Sequence, residues 1–373
     1  MAKIKIAYII DTIESPTSGT EKQLLFLLRS LDRKNFEPYL FCLQSSEWLE
    51  KKFDLCPLKI LDIKSFKKPA TYFHILVFSR FLKSGKFHIV QTHFRDSNIV
   101  GIFGAKFART KVIISSRRNQ GYWHNGFELC LLKILNRSVT HFLANSRKTK
   151  KWAAEVENIH EKKIHVIHNG VDIELFKKYP IKNRERYRRS WDISNNSPAV
   201  GIVANLRPVK GIDVFLRAAR LVKNKVPESK FIIVGDGVER DRLKSLCTEL
   251  GLNDSVKFLG KREDIIQILK ALDIGVLSSH SESLSNSVIE YLAAGLPVVC
   301  TDAGGCEEAV ENGLNGFIVP IGDYQAMSEG ILKIIMDRDL SSQMQRRNIL
   351  KAEDFFSEYT IINLYTKYYQ EII

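Results

Sequence analysis

The sequence predicts an α/β protein made of two domains, each a parallel β-sheet covered by helices. Three observations lead to this prediction. The chain has 373 residues, whereas a single hydrophobic core stops growing at roughly 250–300 residues. Short apolar runs alternate with longer stretches of helical period, which is typical of parallel sheets packed against helices. The same alternation restarts after a polar stretch near the middle of the chain.

The predicted strands form two sets of six. The first half contains strands at residues 5–10, 39–43, 88–92, 112–115, 141–144 and 165–168, separated by helical stretches such as 20–31. The second half contains strands at residues 199–204, 230–234, 256–259, 274–278, 297–300 and 316–319. The restart of the strand-helix pattern predicts a second doubly wound sheet.

The boundary between the two domains is expected near residue 180. Residues 169–198 carry Pro180, a charged run at 182–189 and an Asn-Asn-Ser-Pro cluster, which are signals of a linker. We therefore predict a first domain over 1–180 and a second over 181–354. The last stretch, 355–373, has a helical period and many aromatic residues, and we expect it to return to the first domain.

Positive charge is concentrated in the first half of the chain. Residues 1–180 contain 31 Lys and Arg against 16 Asp and Glu, a net charge of +15, whereas residues 181–373 contain 25 against 26. A basic domain attracts polyanions, either nucleic acid or an anionic membrane surface. Because no aromatic RNA-binding motif or zinc site accompanies the charge, we prefer a membrane surface over nucleic acid. A basic surface that binds neither is the remaining alternative.

No segment of the sequence is typical of membrane insertion or export. A transmembrane helix needs about 18 or more apolar residues, and the run at 72–82 is shorter and contains charge. The first residues lack the apolar core and cleavage site of a signal peptide. We expect a cytoplasmic protein that lies on the inner face of the cell membrane. The six cysteines are scattered without a C-x-x-C pair, which predicts buried free thiols.

The strongest motif is Ser-Glu-Ser-Leu-Ser-Asn-Ser-Val-Ile-Glu at residues 281–290. An apolar strand precedes this polar loop, a helix is expected to begin near Asn286, and a Gly-Leu-Pro sequence ends it. The amides of Leu284, Ser285 and Asn286 would then face an anion, because a helix N-terminus offers unpaired N–H groups and partial positive charge. This setting predicts a diphosphate site.

Two carboxylates flank this predicted diphosphate site. Glu290, about one turn inside the helix, can accept two hydrogen bonds from a ribose diol, and Glu282 in the loop can reach a sugar hydroxyl. Outside this setting, the spacing of the two residues would indicate only two solvated side chains. The preceding strand and the helix start favour the binding interpretation.

Other strand ends of the second half add cations and glycines. The turn at 203–211 follows a strand and carries Arg207 and Lys210, which are suited to bind phosphate oxygens. Gly235 and Gly260 end two neighbouring strands, and we expect them to line a nucleobase pocket through backbone groups. The alternative for the turn is an ordinary charged surface loop.

Three segments of the first half also follow predicted strands. The loop at 11–21 contains Gly19, which lets backbone approach a ligand closely. His93 ends another strand, although a lone histidine is more often structural. Arg117, Arg118 and Asn119 open a polar and aromatic loop that extends to residue 124 and is rich in anion donors and stacking surfaces. This loop could also brace a hinge between the domains.

With these motifs, the chain resembles the retaining glycosyltransferases of family 4, which have the GT-B fold. The family pattern E-G-L-P-N-x-x-x-E, followed by A-x-G-x-P-V-V, matches here with Ser283 and Ser285 in place of Gly and Pro. The resemblance extends over nearly the whole chain. It implies two Rossmann-like domains that face each other across a deep cleft, and it gives His93 a role in contacting the transferred sugar. In this setting we assign Arg117, Arg118 and Asn119 to the acceptor side of the cleft.

The resemblance implies a retaining transfer of sugar from a nucleotide-sugar, with UDP preferred, to a glycan or lipid-linked acceptor of cell-surface polysaccharide or glycolipid synthesis. His93, Lys210 and Glu282 would be the catalytic residues, and no metal or other cofactor is expected. Members of the family carry other residues where Ser18, Gln91 and Asn205 stand here. Because of these departures, the alternative remains that the chain is a catalytically silent subunit, which binds nucleotide-sugar and partners an active enzyme.

Overall fold

The computed structural model describes residues 3–17, 19–66, 68–119, 126–179 and 182–373. The chain divides into two compact units. The first unit comprises Met1–His168 and Tyr359–Ile373, and the second comprises Asn169–Glu358. Each unit contains one parallel sheet, so the predicted fold class is confirmed.

The first unit has a seven-stranded sheet in the order β3-β2-β1-β4-β5-β6-β7. The strands are β1 Ile4–Ile10, β2 Phe36–Cys42, β3 Leu58–Ile60, β4 Ile89–Thr92, β5 Val112–Arg117, β6 His141–Ala144 and β7 Ile164–Val166. The helices that connect them are α1 Gly19–Ser30, α2 Glu47–Lys52, α3 Pro69–Ser84, α4 Arg95–Ala108, α5 Gly126–Asn136 and α6 Arg147–Val156. The central strands are buried on both faces, as covered parallel strands are.

The second unit has a six-stranded sheet in the order β10-β9-β8-β11-β12-β13. The strands are β8 Ala199–Val203, β9 Lys230–Val234, β10 Val256–Gly260, β11 Ile274–Leu277, β12 Val298–Thr301 and β13 Gly316–Val319. The helices are α7 Ile173–Lys178, α8 Lys182–Ser190, α9 Ile212–Lys225, α10 Arg240–Glu249, α11 Ile265–Ala271, α12 Asn286–Ala294, α13 Cys306–Ala309, α14 Tyr324–Met336 and α15 Arg338–Lys351.

All twelve predicted strands are present, and one strand was missed. β3 is a three-residue edge strand, which is too short for a clear apolar pattern. β2 begins at Phe36, three residues earlier than predicted, and continues through Pro38. Proline is tolerated because β3 pairs only with residues 40–42 of β2, so Pro38 lies where β2 has no neighbour on that side.

The described residues of the segment 169–198 are folded, which corrects the prediction of a linker. It contains α7 and α8, and Trp191 and Ile193 belong to the core of the second unit. Arg188 is fully buried, and its Nη1 donates to the carbonyl oxygen of Ala271 at 3.0 Å and to Asp273 Oδ2 at 3.1 Å. The charged run therefore contains one buried arginine, whose remaining donors bond to the carbonyl oxygens of Ser194 and Ser197 in the same segment.

The units divide between residues 168 and 169, earlier than the boundary predicted near 180. Val171, Ile173 and Phe176 pack into the core of the second unit, which draws α7 into that unit. The C-terminal helix, α16 Glu358–Glu371, packs on the first unit through buried tyrosines such as Tyr365 and Tyr369. The C-terminal part of the first unit begins at residue 359, slightly later than the predicted start at 355.

The cysteines are free, but two of them depart from the prediction of buried thiols. Cys56 is half-buried and Cys130 is exposed. Cys130 lies on α5 three and four residues before Lys133 and Ile134, which are also exposed, so all three share the outward face of the helix. Among the described residues, no helix is long and apolar enough to cross a membrane.

Candidate active site

The loops of the predicted donor site lie at one point of the second sheet. β8 lies between β9 and β11, so the strand order reverses there. Ligands of open parallel sheets bind at such a reversal, outside the carboxyl ends of the two strands. The turn with Lys210 follows β8, and the loop with Glu282 follows β11. The topology therefore brings both predicted groups to the reversal.

Lys210 and Glu282 form an ion pair at this reversal. Lys210 Nζ donates to Glu282 Oε1 at 2.5 Å, and Ser279 Oγ donates to the same oxygen at 2.7 Å. Both charged side chains are mostly buried. An ammonium carries three N–H donors, and the bond to Glu282 uses one of them. The pair thus holds a cation at a fixed place on the carboxyl edge of the sheet.

Close backbone packing fixes the Lys210 turn. Gly211 has a φ of +56°, and a Cβ at this position would lie 2.3 Å from the carbonyl oxygen of Ser278. Ser278 Oγ donates to the carbonyl oxygen of Lys210 at 3.0 Å, and the N–H of His280 donates to that of Val209 at 2.8 Å. Only glycine fits after the lysine, because the turn touches the end of β11.

Arg207 lies on the same turn and is exposed. Its carbonyl oxygen accepts a hydrogen bond from the N–H of Lys210 at 2.9 Å. Asn205, at the position where related enzymes carry an arginine, is also exposed. The structure thus brings Arg207 and Lys210 onto one short turn at the carboxyl end of β8.

A second glycine turn supports the Glu282 loop. Gly304 has a φ of +65°, and a Cβ there would lie 2.2 Å from the carbonyl oxygen of Glu282. The N–H of Gly305 donates to the carbonyl oxygen of Ser283. The turn after β12 therefore determines the position of the backbone that carries Glu282.

Helix α12 points its N-terminus into the same loop. Leu284 and Ser285 are buried, and Ser285 makes no side-chain capping bond to α12 among the described residues. Asn169 Nδ2 donates to the carbonyl oxygen of Leu284 at 3.0 Å and to Asn286 Oδ1 at 2.8 Å, which holds the start of the helix. The first-turn amides of a helix are suited to an anion.

The body of α12 is fixed against the sheet. Tyr291 is fully buried; its hydroxyl accepts from the N–H of Val203 at 2.8 Å and donates to the carbonyl oxygen of Val276 at 3.2 Å. Ser287 Oγ donates to the carbonyl oxygen of Val203 at 2.7 Å. Glu290, which precedes Tyr291, is 7% exposed. Its carboxylate is therefore carried by a rigid element.

Gly235 and Gly260 lie at neighbouring strand ends on this edge. Gly235 has a φ of +132°, and a Cβ there would lie 1.9 Å from the carbonyl oxygen of Ala204. Its N–H donates to the carbonyl oxygen of Gly260 at 2.9 Å. A Cβ at Gly260 would meet no atom within 4 Å. Backbone groups therefore dominate this part of the edge.

The first sheet has its own reversal, between β1 and β4. A cavity of about 210 Å³ lies there, lined by residues that include Asp11, Thr20, His93 and Arg118. Gly19 starts α1 next to Thr20 and is exposed. Ser18, which stands in place of the family's first glycine, lies outside the described residues.

The imidazole ring of His93 is buried beside this cavity. Its side chain is 1% exposed, and neither ring nitrogen has a hydrogen-bond partner among the described residues. Burial, and then the charge of Arg118, lowers the pKa of His93 well below its usual 6.5. The imidazole is therefore neutral at pH 7, with one donor and one acceptor. Buried polar groups are rarely left unpaired, so these atoms are suited to a polar ligand.

Asp11 joins the two loops of this reversal. Its Oδ1 accepts from the N–H of Ser97 at 2.8 Å and from Ser97 Oγ at 2.7 Å. Burial raises the pKa of Asp11, and the bonds from Ser97 oppose the rise. Phe94, between His93 and α4, has φ 66° and ψ 171°, a conformation that costs energy for a residue with a side chain. The His93 loop is thus held in a strained form.

Arg117 belongs to a buried network of hydrogen bonds. The prediction that it lies on the acceptor side did not include this network. Its Nε and Nη2 donate to Glu157 at 2.8 and 2.7 Å, its Nη1 donates to Ser115 Oγ at 2.5 Å, and its Nη2 donates to Asn136 Oδ1 at 2.9 Å. The guanidinium also lies 5.3 Å from the Phe142 ring centroid. Most of its donors are used within the protein, so we assign Arg117 a supporting role.

Arg118 and Asn119 lie next to the His93 cavity, which Arg117 also lines. Both residues line it, and Arg118 Nη2 donates to the hydroxyl of Tyr365 on α16 at 3.2 Å. The rest of this loop, from 120 to 124, lies outside the described residues. The C-terminal helix thus contacts a residue of the candidate site.

The Asp-Arg-Asp triplet at 337–339 has a capping role. Asp337 Oδ1 accepts from the N–H of Leu340 at 2.9 Å at the start of α15. Among the described residues, no group of three or more His, Cys, Asp or Glu side chains is placed to hold a metal ion. Glu308 lies in the short helix α13, where its N–H donates to the carbonyl oxygen of Gly305 at 3.0 Å.

Two sets of supporting residues were missed in the sequence. Asp11 and Ser97 could have been found, because Asp11 directly follows β1 and Ser97 lies in the helix after β4, at the same edge of the sheet. Asn136 and Glu157 carry no such signal. They come from α5 and from the end of α6, and only the fold brings them to Arg117.

Two doubly wound sheets, with a cation and a helix N-terminus at the reversal of the second, place the chain in the GT-B fold class. The family model described as glycosyltransferase family 4 matches residues 17–175, and the model of glycosyl transferases group 1 matches residues 183–351. The chain belongs to the family-4 glycosyltransferases.

Two relatives match over nearly their whole length. The chain is 26% identical over 358 residues to the UDP-Gal:alpha-D-GlcNAc-diphosphoundecaprenol alpha-1,3-galactosyltransferase of Escherichia coli, covering 91% of this chain and 90% of that protein. It is 26% identical over 365 residues to the N,N'-diacetylbacillosaminyl-diphospho-undecaprenol alpha-1,3-N-acetylgalactosaminyltransferase of Campylobacter jejuni, covering 93% and 94%.

A solved structure shares the fold. The crystal structure of Anabaena Alr3699/HepE in complex with UDP superposes with a TM-score of 0.87, over 98% of this chain and 100% of that chain, at 23% sequence identity. This likeness supports the fold assignment.

Proposed function

We propose that this chain is a retaining glycosyltransferase that moves a sugar from a UDP-sugar to a lipid-linked acceptor without a metal ion. The observation that carries the proposal is the Lys210–Glu282 ion pair, 2.5 Å long, at the reversal of the second sheet beside the N-terminus of α12. A fixed cation and a helix N-terminus at one place are suited to a diphosphate.

The diphosphate is the group that leaves with the nucleotide. Lys210, with Arg207 on the same turn, and the amides of residues 284–286 would stabilise the negative charge that develops on it. These groups supply the positive charge that a metal ion supplies elsewhere. The acceptor hydroxyl would approach the face that the diphosphate leaves, with a leaving phosphate oxygen as the base, so the anomeric configuration is retained.

The remaining site residues would bind the sugar and the nucleoside. Glu290 on α12 is assigned to the ribose hydroxyls, because a carboxylate accepts two hydrogen bonds from a diol. Glu282, held by Lys210 and Ser279, is assigned to a sugar hydroxyl. Gly260, where a Cβ would meet no atom within 4 Å, leaves room for the base, and Gly235 lies at the neighbouring strand end.

In the first unit, we assign the cavity beside His93 to sugar and acceptor groups. The neutral imidazole can donate one hydrogen bond to a hydroxyl and accept another. Arg118 and Asn119 line the same cavity, and Arg118 adds a positive charge that suits an anionic acceptor.

The names of the relatives support both substrates. The Escherichia coli relative is named for UDP-Gal and a diphosphoundecaprenol acceptor, and the Campylobacter jejuni relative for a diphospho-undecaprenol acceptor. The net charge of +15 over residues 1–180 suits an anionic membrane, where each nearby Lys or Arg contributes about 1 kcal/mol. We therefore place the protein on the inner face of the cell membrane.

Nucleotide binding tests this proposal through a thermal-shift screen with UDP-, GDP- and ADP-sugars. We expect stabilisation by UDP-sugars, and we expect Glu290→Gln to remove most of it because a neutral amide replaces the acceptor of the ribose bonds. Glu311→Gln is the matched control, since Glu311 precedes β13 and pairs with Lys351 at 2.5 Å.

The control variant should keep the wild-type shift. A chain that no nucleotide-sugar stabilises would contradict the proposal. If both variants lose the thermal shift equally, the result would instead contradict the assignment of Glu290 to the donor site.

A further inference from the structure

An apolar groove of about 730 Å³ lies in the first unit, next to the His93 cavity. Helices α3, α4 and α5 form its walls. Its large side chains include Tyr72, Leu76, Phe103 and Phe107, all of which are exposed in the described structure. Monomeric proteins rarely expose large contiguous apolar patches unless the patch binds something.

One face of α4 supplies the floor of this groove. Arg95, Ile99, Phe103 and Phe107 follow one another at intervals of four residues, so their side chains share a face of the helix. With a rise of 1.5 Å per residue, this row extends for about 18 Å. The row begins with a cation at the N-terminus of α4 and continues with apolar groups only.

The groove and the His93 cavity adjoin each other. Arg95 and Leu132 line both of them. Arg95 Nε donates to Asp96 Oδ1 at 2.9 Å, which orients the guanidinium at the junction. Among the described residues that line the groove, Arg95 and Asp96 are the charged ones, and both lie at the junction. The space therefore has a charged end at the cavity and an apolar body away from it.

We propose that this groove binds the hydrocarbon chain of the acceptor lipid and that Arg95 binds the phosphate that joins the chain to the acceptor sugar. This inference rests on the proposed function. A single chain attached through a phosphate matches the order of groups, because the phosphate would meet Arg95 and the chain would follow Ile99, Phe103 and Phe107. The acceptor sugar would then reach the cavity beside His93.

Two soluble diphosphates that differ only in chain length test the groove. We would measure the binding of farnesyl diphosphate and dimethylallyl diphosphate to the full chain by calorimetry. Binding of farnesyl diphosphate would remove about ten more carbon atoms from water than binding of dimethylallyl diphosphate. We therefore expect farnesyl diphosphate to bind at least about tenfold more tightly.

A matched pair of variants locates the effect. Phe107→Ser should reduce the ratio of the two affinities severalfold, because Phe107 lines the groove. Phe73→Ser should leave it unchanged, because Phe73 lies on α3 with a similar exposure, 60% against 57%, but is not among the groove residues. Equal affinities for the two diphosphates, or an equal effect of both substitutions, would overturn the inference.

Vesicles of phosphatidylglycerol distinguish the groove from a surface that inserts into the membrane. If the apolar face only inserts, both substitutions will weaken vesicle binding alike and chain length will not matter in solution, which overturns the inference. The UDP-sugar thermal shift separates the two proposals. If UDP-sugars stabilise the protein but the two diphosphates bind equally, only the groove proposal is contradicted. If the longer diphosphate binds more tightly but no UDP-sugar stabilises the protein, the proposed donor reaction is contradicted.

Discussion

At the residue scale, the donor-site side chains depend on glycines that belong to other loops. Gly211 and Gly304 both have positive φ values, and both lie so close to a neighbouring carbonyl oxygen that a Cβ would overlap it. These contacts join the turn after β8 and the turn after β12 to the loop after β11. The positions of Lys210 and Glu282 therefore depend on backbone packing as much as on their own ion pair.

Gly304→Ala should destabilise the protein and weaken its binding of UDP-sugars. A positive φ costs about 1–2 kcal/mol for a residue with a Cβ, and the overlap with the carbonyl oxygen of Glu282 adds to this cost. Urea unfolding and the UDP-sugar thermal shift measure the two effects.

Gly313→Ala is the control for backbone strain alone. Gly313 has a φ of +79°, and a Cβ there would meet no atom within 4 Å. We expect a similar conformational cost but unchanged UDP-sugar binding. If the two variants bind UDP-sugars equally well, the Gly304 turn does not position the Glu282 loop.

The sequence indicated some of these residues and not others. Lys210, Glu282 and Glu290 were predicted because each follows a clear strand or lies in a clear helix start. The buried partners of Arg117 were not, because Asn136 and Glu157 come from helices whose packing has no local pattern in the sequence.

At the scale of elements, α16 connects the C-terminus to the central strands of the first sheet. The hydroxyl of Tyr8 donates to that of Tyr369 at 3.1 Å, and the Tyr369 hydroxyl donates to Gln91 Oε1 at 2.6 Å. Gln91 lies two residues before His93 on β4. This glutamine, which replaces a family histidine, therefore anchors the C-terminal helix.

Tyr369→Phe should lower the free energy of unfolding by about 1–3 kcal/mol, because it leaves the buried oxygen of Gln91 without its donor. Chemical denaturation measures this loss. Tyr359→Phe is the control on the same helix, because Tyr359 is exposed, and we expect it to be neutral. Equal stabilities of the two variants would show that the buried hydroxyl chain does not anchor α16.

The element predictions succeeded where hydrophobic periodicity was strong. The long buried strands were found, whereas β3 was too short to show a pattern. The charged helix α8 was interpreted as a linker because composition alone cannot reveal that Arg188 is buried against Asp273 and Ala271. Tertiary packing therefore decided the structure of this charged segment.

At the scale of the whole molecule, the two units carry different kinds of binding surface. The second unit presents a cation, a helix N-terminus and glycine turns, which suit a nucleotide diphosphate. The first unit presents the excess positive charge, a neutral buried imidazole and an apolar groove, which suit an amphiphilic acceptor. The charge asymmetry of the sequence predicted only that the first half attracts polyanions. The diphosphate site of the second unit is the central claim of the proposed function.

Release of UDP from UDP-sugars tests this claim most directly, because water can replace an unidentified acceptor. We expect slow UDP release by the wild type with EDTA present, and a loss of about a hundredfold or more in Lys210→Met, since one fixed charge on the leaving group is worth that much. Lys210→Arg should retain more activity. Undiminished UDP release by Lys210→Met would contradict the account.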